Sequence, residues 1–189
     1  EEDEIPPPYL LAATKKGQVL RFAVQSHRDP STKTGRKFCR LVDRDEVVSV
    51  TLTEGPELVT IISRNGKALL FWLEEVPVLV GAGKGVRGIR LKKGDEVLGI
   101  RLLSGRPRDV AHVETRAGRI LPVGPGKYRI VKRGGQGTDI VKRGGLTRVV
   151  PLPVEIVELD AEPTEEKAPA DQEEFDDESF GGSSQGELF

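Results

Sequence analysis

Short apolar segments separated by polar, glycine-containing turns recur through most of the chain, from about residue 9 to residue 157. The segments are rich in valine, isoleucine and leucine. The clearest are Glu46–Leu52, Leu58–Ile62, Ala68–Trp72, Val97–Leu103 and Val110–Glu114. Apolar runs of this length between turn residues are typical of β-strands, and none of them continues into the 3.6-residue period of a long helix. The pattern therefore predicts an all-β protein.

The strand–turn–strand unit is repeated along the chain. Its three copies are Leu10–Leu20, Val59–Leu69 and Ala111–Leu121. The glycines in their turns, Gly17, Gly66 and Gly118, are 49 and 52 positions apart. After each of the first two hairpins a second similarity follows, in which Gly35–Val48 matches Gly85–Leu98 at a constant offset of 50. Similarity at a fixed period indicates one supersecondary unit used several times.

A unit of about 50 residues holds about four short strands, which is the size of one blade of a propeller-type fold. We predict three blades, at about 9–56, 57–108 and 109–157. The third is the least regular, because Pro122 and Pro125 stand where the other copies have an uninterrupted strand.

The net charge of −1 hides a strong segregation of charge along the chain. Residues 1–8, predicted to be an extended lead-in because they end in three prolines, contain four acids. Residues 158–189 contain twelve acids and one lysine, and are predicted to be a disordered acidic tail. The span 9–157 holds 28 basic and 14 acidic residues. A basic body of this kind favours a polyanionic partner, for which the tail would compete.

Many of the basic residues lie in glycine-rich loops that recur with the repeat. Lysine and arginine on such loops can approach a phosphate backbone closely, and the backbone amides add donors. The predicted DNA-binding residues are Lys33, Arg36, Lys37, Arg40, Lys84, Arg87, Arg90, Lys92, Lys93, Lys127, Arg129, Lys132, Arg133, Lys142 and Arg143. Their spacing places the clusters at equivalent positions on successive blades. We therefore predict a continuous basic track that binds and bends duplex DNA with little sequence preference.

The repeated hairpin, the basic glycine loop and the Gly-Asp-Glu-Val strand at 94–97 together resemble a known family. It is the C-terminal domain of the A subunit of bacterial type IIA topoisomerases, the DNA-wrapping domain of DNA gyrase and its topoisomerase IV counterpart. The resemblance covers about 9–157 and implies a β-pinwheel, a propeller-like disc whose blades exchange strands and whose basic rim binds DNA. The family usually has more than three blades, which implies a truncated or reduced domain here.

The glycine-rich box that marks gyrase has a degenerate match at Val131–Gly137. The matching or substituted box positions are Lys132, Arg133, Gly134, Gly135, Gln136 and Gly137. Valine occupies the first position of the box, and Gln136 replaces its lysine. These departures put gyrase-type negative supercoiling in doubt and favour a topoisomerase IV-like role or a reduced paralogue.

The resemblance also implies a parent enzyme, an ATP-dependent type II topoisomerase of the bacterial cytoplasm and nucleoid. Such enzymes cut DNA with a tyrosine that follows an arginine, whereas Tyr9 and Tyr128 follow Pro8 and Lys127. We expect this domain to be non-catalytic and without a cofactor or metal, with ATP and Mg²⁺ used elsewhere in the parent. The implied partners are double-stranded DNA, a second A subunit, plus a B subunit. Because the chain has no methionine, we interpret it as a fragment of a longer protein.

The C-terminal residues Gln185, Leu188 and Phe189 resemble the short peptide that bacterial replication proteins insert into the sliding clamp. A flexible tether that ends in two apolar anchors suits binding in a pocket. The alternative interpretation is a plain disordered end.

Several other interpretations remain open or are disfavoured. A protein-binding propeller that docks an acidic partner is the main alternative, and the Arg-Gly-Gly pairs could belong to an RNA-binding tract. An enzyme is disfavoured because no nucleophile, base or metal set clusters. His27 and His112 lie far apart in the repeat, which argues against a shared metal ion. Cys39 is expected to be a small core residue rather than a nucleophile. The Asp-Glu pairs at 45–46 and 95–96 are expected in turns, because adjacent strand residues face opposite sides and cannot share one site. No apolar run approaches the ~18 residues of a membrane span.

Overall fold

The computed structural model describes residues 7–30, 33–53 and 55–152, which form an all-β fold. The strands within these residues are β1 (Tyr9–Thr14), β2 (Gln18–Ala23), β3 (Val47–Thr53), β4 (Leu58–Ser63), β5 (Lys67–Trp72), β6 (Val78–Leu79), β7 (Val86–Arg87), β8 (Val97–Leu103), β9 (Ala111–Thr115), β10 (Ile120–Val123), β11 (Thr138–Asp139) and β12 (Leu146–Val149). Two short 3₁₀ helices, Gln25–His27 and Leu73–Glu75, accompany them. No helix in the described ranges is long and apolar enough to cross a membrane. The acidic tail, with its clamp-like peptide, lies outside the described residues.

The strands form three sheets, each built on one of the predicted hairpins. The first sheet has the order β3-β1-β2-β6, with β7 also paired to β2. The second has the order β11-β5-β4-β8, and the third β10-β9-β12. In each sheet the last long strand returns to pair with the first strand of the hairpin. The all-β, propeller-like prediction is confirmed.

The return strands pair at equivalent positions in the first two sheets. Val47 lies opposite Thr14 in the first sheet, and Val97 lies opposite Ser63 in the second. Both ladders carry a bulge at the hairpin end of the return strand. The repeat in the sequence is therefore a repeat of backbone geometry.

Short strands from each later repeat lie on the sheet before it. β6 runs parallel to β2 with Val78 opposite Arg21, and β7 runs antiparallel to it with Val86 opposite Val19. One repeat later, β11 pairs with β5, with Thr138 opposite Ala68. The glycine-rich segment of a repeat thus forms the outer edge of the preceding sheet. This is the exchange of strands that defines a pinwheel.

Adjacent sheets bury apolar side chains against each other. The face of a sheet that packs on the following sheet is called its downstream face, and the opposite face its upstream face. Between the first two sheets the buried residues are Leu11, Ala13 and Val19, packed against Val59, Ile61, Leu69 and Phe71. Between the second and third they are Leu58, Ile62, Ala68 and Leu70, packed against Ala111, Val113 and Val123. Full burial of each large side chain stabilises the fold by about 1.5–3 kcal/mol.

The exchanged segments close over the glycine turns of the preceding hairpin. Gly17 and Gly66 both have φ of +87°, a conformation that L side chains rarely adopt. The Ile89 amide donates to the Gly17 carbonyl at 3.2 Å, and the Val141 amide donates to the Gly66 carbonyl at 3.4 Å. A Cβ at Gly17 would lie 2.7 Å from the Ile89 carbonyl oxygen, so the approach itself also requires glycine.

The Asp-Glu pairs hold each return strand to its own hairpin turn. Asp45 Oδ1 accepts a hydrogen bond from the Lys16 amide at 2.9 Å, and Asp95 Oδ1 accepts one from the Asn65 amide at 3.0 Å. They therefore stabilise turns, as the sequence predicts.

The glutamate that follows Asp95 joins two sheets. Lys15 Nζ of the first sheet lies 2.9 Å from Glu46 Oε1 and 3.2 Å from Glu96 Oε2, and Arg64 of the second sheet also pairs with Glu96. Burial acts to raise the pKa of Glu96, but hydrogen bonds from Lys15 and Arg64 outweigh it and hold that pKa below its usual value. Glu96 therefore remains charged at neutral pH and bridges the first and second sheets.

Candidate nucleic-acid interface

The predicted DNA-binding residues are exposed in the structure, except for Arg133, which is partly buried. Most of them lie on the exchanged segments or the loops beside them, at the outer edge of the sheets. Glycines let these segments pack closely on the sheet below, which leaves the long basic side chains in solvent.

The loop of the first repeat contacts the loop of the second. The Arg40 amide donates to the Gly83 carbonyl at 2.8 Å, and Cys39 forms a parallel bridge with Gly83. Arg40 is thereby placed beside Lys84, although the two residues are 44 positions apart in the sequence.

The loop of the second repeat contacts that of the third in the same way. The Arg90 amide donates to the Gly135 carbonyl at 2.7 Å, and the Gly134 amide donates to the Gly88 carbonyl at 2.6 Å. The three loops therefore touch in series. We call their exposed bases the rim track: Arg36, Lys37, Arg40, Lys84, Arg87, Arg90 and Lys132.

Arg133 also stabilises the contact between the second and third loops. Its backbone N–H donates to Glu75 Oε2 at 3.1 Å, and its Nε donates to the Glu75 carbonyl at 2.8 Å. Its Nη1 also lies 3.3 Å from the Arg87 carbonyl oxygen. Arg133 therefore joins the second and third loops, and its replacement would disturb the fold as well as the charge.

An acid interrupts the basic character of the third exchanged strand. When Gly137 is aligned with Gly85, Asp139 stands where the second repeat has Arg87 and the first has Lys37. Lys67 Nζ lies 2.8 Å from Asp139 Oδ1, and this hydrogen bond holds the pKa of Asp139 below its usual value. Sequence reasoning missed this acid, although aligning the glycines of the loops would have revealed it.

The remaining predicted bases lie in several loops. Lys142 and Arg143 lead into Gly145, whose carbonyl accepts from the Arg116 amide of the third hairpin turn at 3.3 Å, so they lie beside that turn. Lys92 and Lys93 lie in the turn before β8, which the Asp95 amide closes by donating to the Lys92 carbonyl. Lys127 follows Gly126, which lies against Pro107 of the loop after β8. Lys33 and Arg129 are exposed. Lys127 places its ammonium 5.6 Å from the centroid of the Tyr128 ring.

The glycines of the box-like segment serve packing. Gly137 has φ of +72°, and a Cβ there would lie 2.6 Å from the Ala68 carbonyl oxygen. Gly85, its counterpart one repeat earlier, would place a Cβ 2.2 Å from the Val19 carbonyl oxygen. Gln136, which replaces the box lysine, is exposed. The segment therefore keeps the backbone geometry of an exchanged strand with one cation fewer.

The side chains that could suggest catalysis or metal binding pack among apolar or aromatic side chains instead. Cys39 is half-buried beside Phe22, and burial followed by the charge of Asp45 raises the pKa of its thiol. The His27 ring meets the Phe22 ring edge-on at 5.3 Å. Tyr128 is buried between the second and third sheets. Within the described ranges no group of three His, Cys, Asp or Glu side chains is placed to hold a metal ion.

Comparison with protein families and curated sequences agrees with this geometry. Residues 8–54 and 57–104 match the family described as DNA gyrase C-terminal domain, beta-propeller. The DNA gyrase A protein of Staphylococcus epidermidis is 31% identical over 140 residues, which are 72% of this chain and 16% of that protein. The DNA gyrase A protein of Staphylococcus aureus matches with the same identity and coverage. The chain thus spans about a sixth of the length of these relatives.

Solved structures are similar over most of the chain. The C-terminal domain of DNA topoisomerase IV superposes with a TM-score of 0.66 at 25% identity, covering 79% of this chain and 46% of that one. The DNA gyrase A C-terminal domain gives a TM-score of 0.62 at 26% identity, covering 79% and 50%. The E. coli ParC C-terminal domain, at 19% identity and a TM-score of 0.61, shares the fold.

Proposed function

Because this chain belongs to the DNA gyrase C-terminal domain family, we propose that it binds double-stranded DNA along its rim track. The observation that carries the proposal is the contact of the three basic loops in series, through the Arg40–Gly83 and Arg90–Gly135 hydrogen bonds. Loops that touch in this way offer one continuous row of cations to a phosphate backbone. Contacts to phosphates supply affinity and carry little sequence information.

The track lies at the outer edge of sheets that pack against one another, and we propose that a duplex following it is bent around that edge. Bending a short duplex by 40–90° costs about 1–6 kcal/mol, which additional phosphate contacts can offset. The chain therefore acts by holding DNA in a curved path. We propose no chemical step for it.

We further propose that the parent protein is the A chain of an ATP-dependent type II topoisomerase of the bacterial cytoplasm, associated with the nucleoid. In it this domain would position the transported DNA segment. Cleavage of DNA, the use of ATP and Mg²⁺, and the contacts with a second A chain or with the B chain belong to other parts of that enzyme. The replacement of the box lysine by Gln136 and the acid at Asp139 support a role closer to topoisomerase IV than to gyrase.

Duplex binding should depend steeply on salt. If about six to ten phosphates are contacted, affinity should fall by about 10³–10⁵ between 50 and 200 mM salt. A mobility-shift titration with duplexes of unrelated sequence should give the same affinity for each. A chain that fails to retard any duplex at low salt would contradict the proposal and would favour a scaffold that docks an acidic protein.

A further inference from the structure

The three hairpin turns share one backbone geometry. In each, the glycine amide donates to the carbonyl of the threonine or serine three positions earlier, at 2.9 Å for Gly17, 3.1 Å for Gly66 and 2.9 Å for Gly118. The hydroxyl of that threonine or serine accepts from the amide that follows the glycine, at 3.2, 3.2 and 3.0 Å in the three turns. The third turn therefore presents the same backbone groups as the first two.

The first two turns bind carboxylates. Each turn places two donors side by side, the amide of the residue before the glycine and the side chain of the basic residue before that. Both donors meet acids that stand just before the return strand. The amide bonds are Lys16 to Asp45 and Asn65 to Asp95, and the side-chain pairs are Lys15 with Glu46 and Arg64 with Glu96.

The loop that supplies these acids is three residues shorter in the third repeat. Ile89 and Val141 are equivalent, because their amides donate to the glycine carbonyl of the preceding turn. Val97 and Leu146 are also equivalent, because their amides donate to the carbonyl of the basic residue in that turn. Val97 follows Ile89 by eight positions, whereas Leu146 follows Val141 by five. Two glycines, at 144–145, stand where the other repeats have the Asp-Glu pair.

The donors of the third turn have no protein acceptor in the described part of the chain. Gly145 keeps the backbone bond of its counterpart Glu96, since its carbonyl accepts from the Arg116 amide at 3.3 Å. Within the described residues, however, the Ala117 amide has no hydrogen-bond acceptor and the Arg116 guanidinium has no ion-pair partner. The guanidinium stays at the turn, because a Cβ on Gly145 would lie 3.6 Å from Arg116 Nε.

The shortened loop also concentrates positive charge at this turn. Lys142 and Arg143 lead into Gly145, both are exposed, and neither forms an ion pair with a described residue. No acid occurs in residues 140–145 to offset them. We call Arg116, the Ala117 amide, Lys142 and Arg143 the third-turn site. It offers donors and cations where the first two turns have a balanced set of charges.

The chemistry of these donors suits a phosphate group. A guanidinium binds phosphate through two parallel hydrogen bonds, and backbone amides are common donors to the phosphates of DNA. One phosphate has enough oxygens to take both Arg116 and the Ala117 amide, for which the earlier turns use two carboxylates. A duplex carries its charges close together, about one per 1.7 Å of axis, so neighbouring phosphates are available to Lys142 and Arg143.

We propose that the third-turn site binds a phosphate of the bound duplex in the place of the Asp-Glu carboxylates. The Ala117 amide and the Arg116 guanidinium hold that phosphate, and Lys142 and Arg143 contact its neighbours. The inference rests on the proposed function, since DNA supplies the phosphate. Lys142 and Lys132 of the rim track flank the same exchanged strand, β11, so the site gives the duplex a contact beyond Asp139.

Amide NMR of the whole chain tests the turn without DNA. Inorganic phosphate, exchanged for chloride at constant ionic strength, should shift the Ala117 amide resonance until the shift saturates. The Lys16 and Asn65 amides are internal controls, because each already donates to an aspartate. They should keep their resonance positions. Arg116→Gln should abolish the shift of Ala117.

The same substitution tests the contact with DNA. Arg116→Gln should weaken duplex binding roughly eightfold at about 0.1 M salt and lower the salt slope by about 0.9, the effect of one phosphate contact. The matched control is Arg106→Gln, an exposed arginine in the loop after β8, which should keep its affinity.

A second pair of variants adds a charge at the turn. Gly144 has φ of +90° and a Cβ there would meet nothing within 4 Å, so aspartate and asparagine fit equally. Gly144→Asp places a carboxylate beside the site and should weaken the binding of both inorganic phosphate and duplex. Gly144→Asn has nearly the same shape without the charge and should bind both more tightly than Gly144→Asp does.

The outcomes separate this inference from the proposed function. Duplex binding that is unaffected by Arg116→Gln, with no shift of Ala117, would overturn the inference and leave DNA binding intact. A chain that binds inorganic phosphate at Ala117 but retards no duplex would remove DNA as the source of the phosphate, and the proposed function with it. A shift of Ala117 by acetate but not by phosphate would assign the turn to carboxylates of a protein and overturn the inference.

Discussion

Reversal of two charges, by Arg87→Glu and Arg90→Glu together, should weaken duplex binding on the order of 10²-fold at about 0.1 M salt. Both side chains are exposed, on the segment that links the first loop to the third. Each phosphate contact contributes a salt slope of about 0.9, which corresponds to roughly eightfold in affinity at this salt concentration. Two lost contacts and the added repulsion give the expected loss. Fluorescence anisotropy with a labelled duplex measures it.

The melting temperature of this variant should remain unchanged, because neither side chain forms an ion pair in the described part of the chain. The matched control reverses Arg106 and Arg108, two exposed arginines in the loop after β8. That loop is at the end of the sheet away from the hairpin turn, since Leu103 pairs with Leu58. Equal loss of affinity in both variants would show that net charge decides binding, and the rim track would then have no special role.

Gly85→Ala should have the largest effect on stability, lowering the free energy of unfolding by about 2–5 kcal/mol. Alanine at φ of +71° is strained by about 1–2 kcal/mol. In addition, its Cβ would lie 2.2 Å from the Val19 carbonyl oxygen, so the exchanged segment must move off the first sheet at a further cost of about 1–3 kcal/mol.

Gly35→Ala separates these two contributions. The φ of Gly35 is nearly the same, but a Cβ there meets no atom within 4 Å, so only the strain of about 1–2 kcal/mol should remain. Urea unfolding of both variants gives the comparison. If the two lose the same stability, the packing of the exchanged segment on the first sheet does not contribute to the fold.

The hairpins could be predicted from the sequence because their signals are local. Apolar residues and a glycine turn specify β4 and β5, and apolar runs at an offset of about 50 identify β3 and β8 as equivalent strands. The resemblance implied an exchange of strands, but the positions of β6, β7 and β11 could not be predicted, since each is two residues long and lies in a glycine-rich loop. They become strands because the hairpin of another repeat offers an edge.

The third hairpin shows a second feature that could not be predicted from the sequence. Pro122 and Pro125 suggested an interrupted strand, yet Pro122 lies within β10, with His112 opposite. The proline is tolerated because β10 is an edge strand within the described residues. Sequence alone does not show which strands lie at edges.

For the candidate site, the sequence identified the basic residues, but not the contacts that decide which of them lie exposed on the rim track. Which loops touch, and in which order, depends on hydrogen bonds between residues far apart in the sequence, such as Arg40 and Gly83, which are 43 positions apart. Glu75 and Arg133, which also contact each other, are 58 positions apart, and Lys67 and Asp139 are 72 apart. These contacts distinguish exposed bases from those that serve the fold.

Acetylation of lysines with and without a duplex of about two helical turns, read by mass spectrometry, tests the continuous track most directly. Lys37, Lys84 and Lys132 represent the three loops, and Lys127, which is outside the rim track and lies beside the loop after β8, serves as the reference. On a single track the three lysines should lose reactivity together, at the same duplex concentration, while Lys127 keeps its own reactivity. Protection of one loop alone, or equal protection of Lys127, would contradict a single track shared by the three sheets.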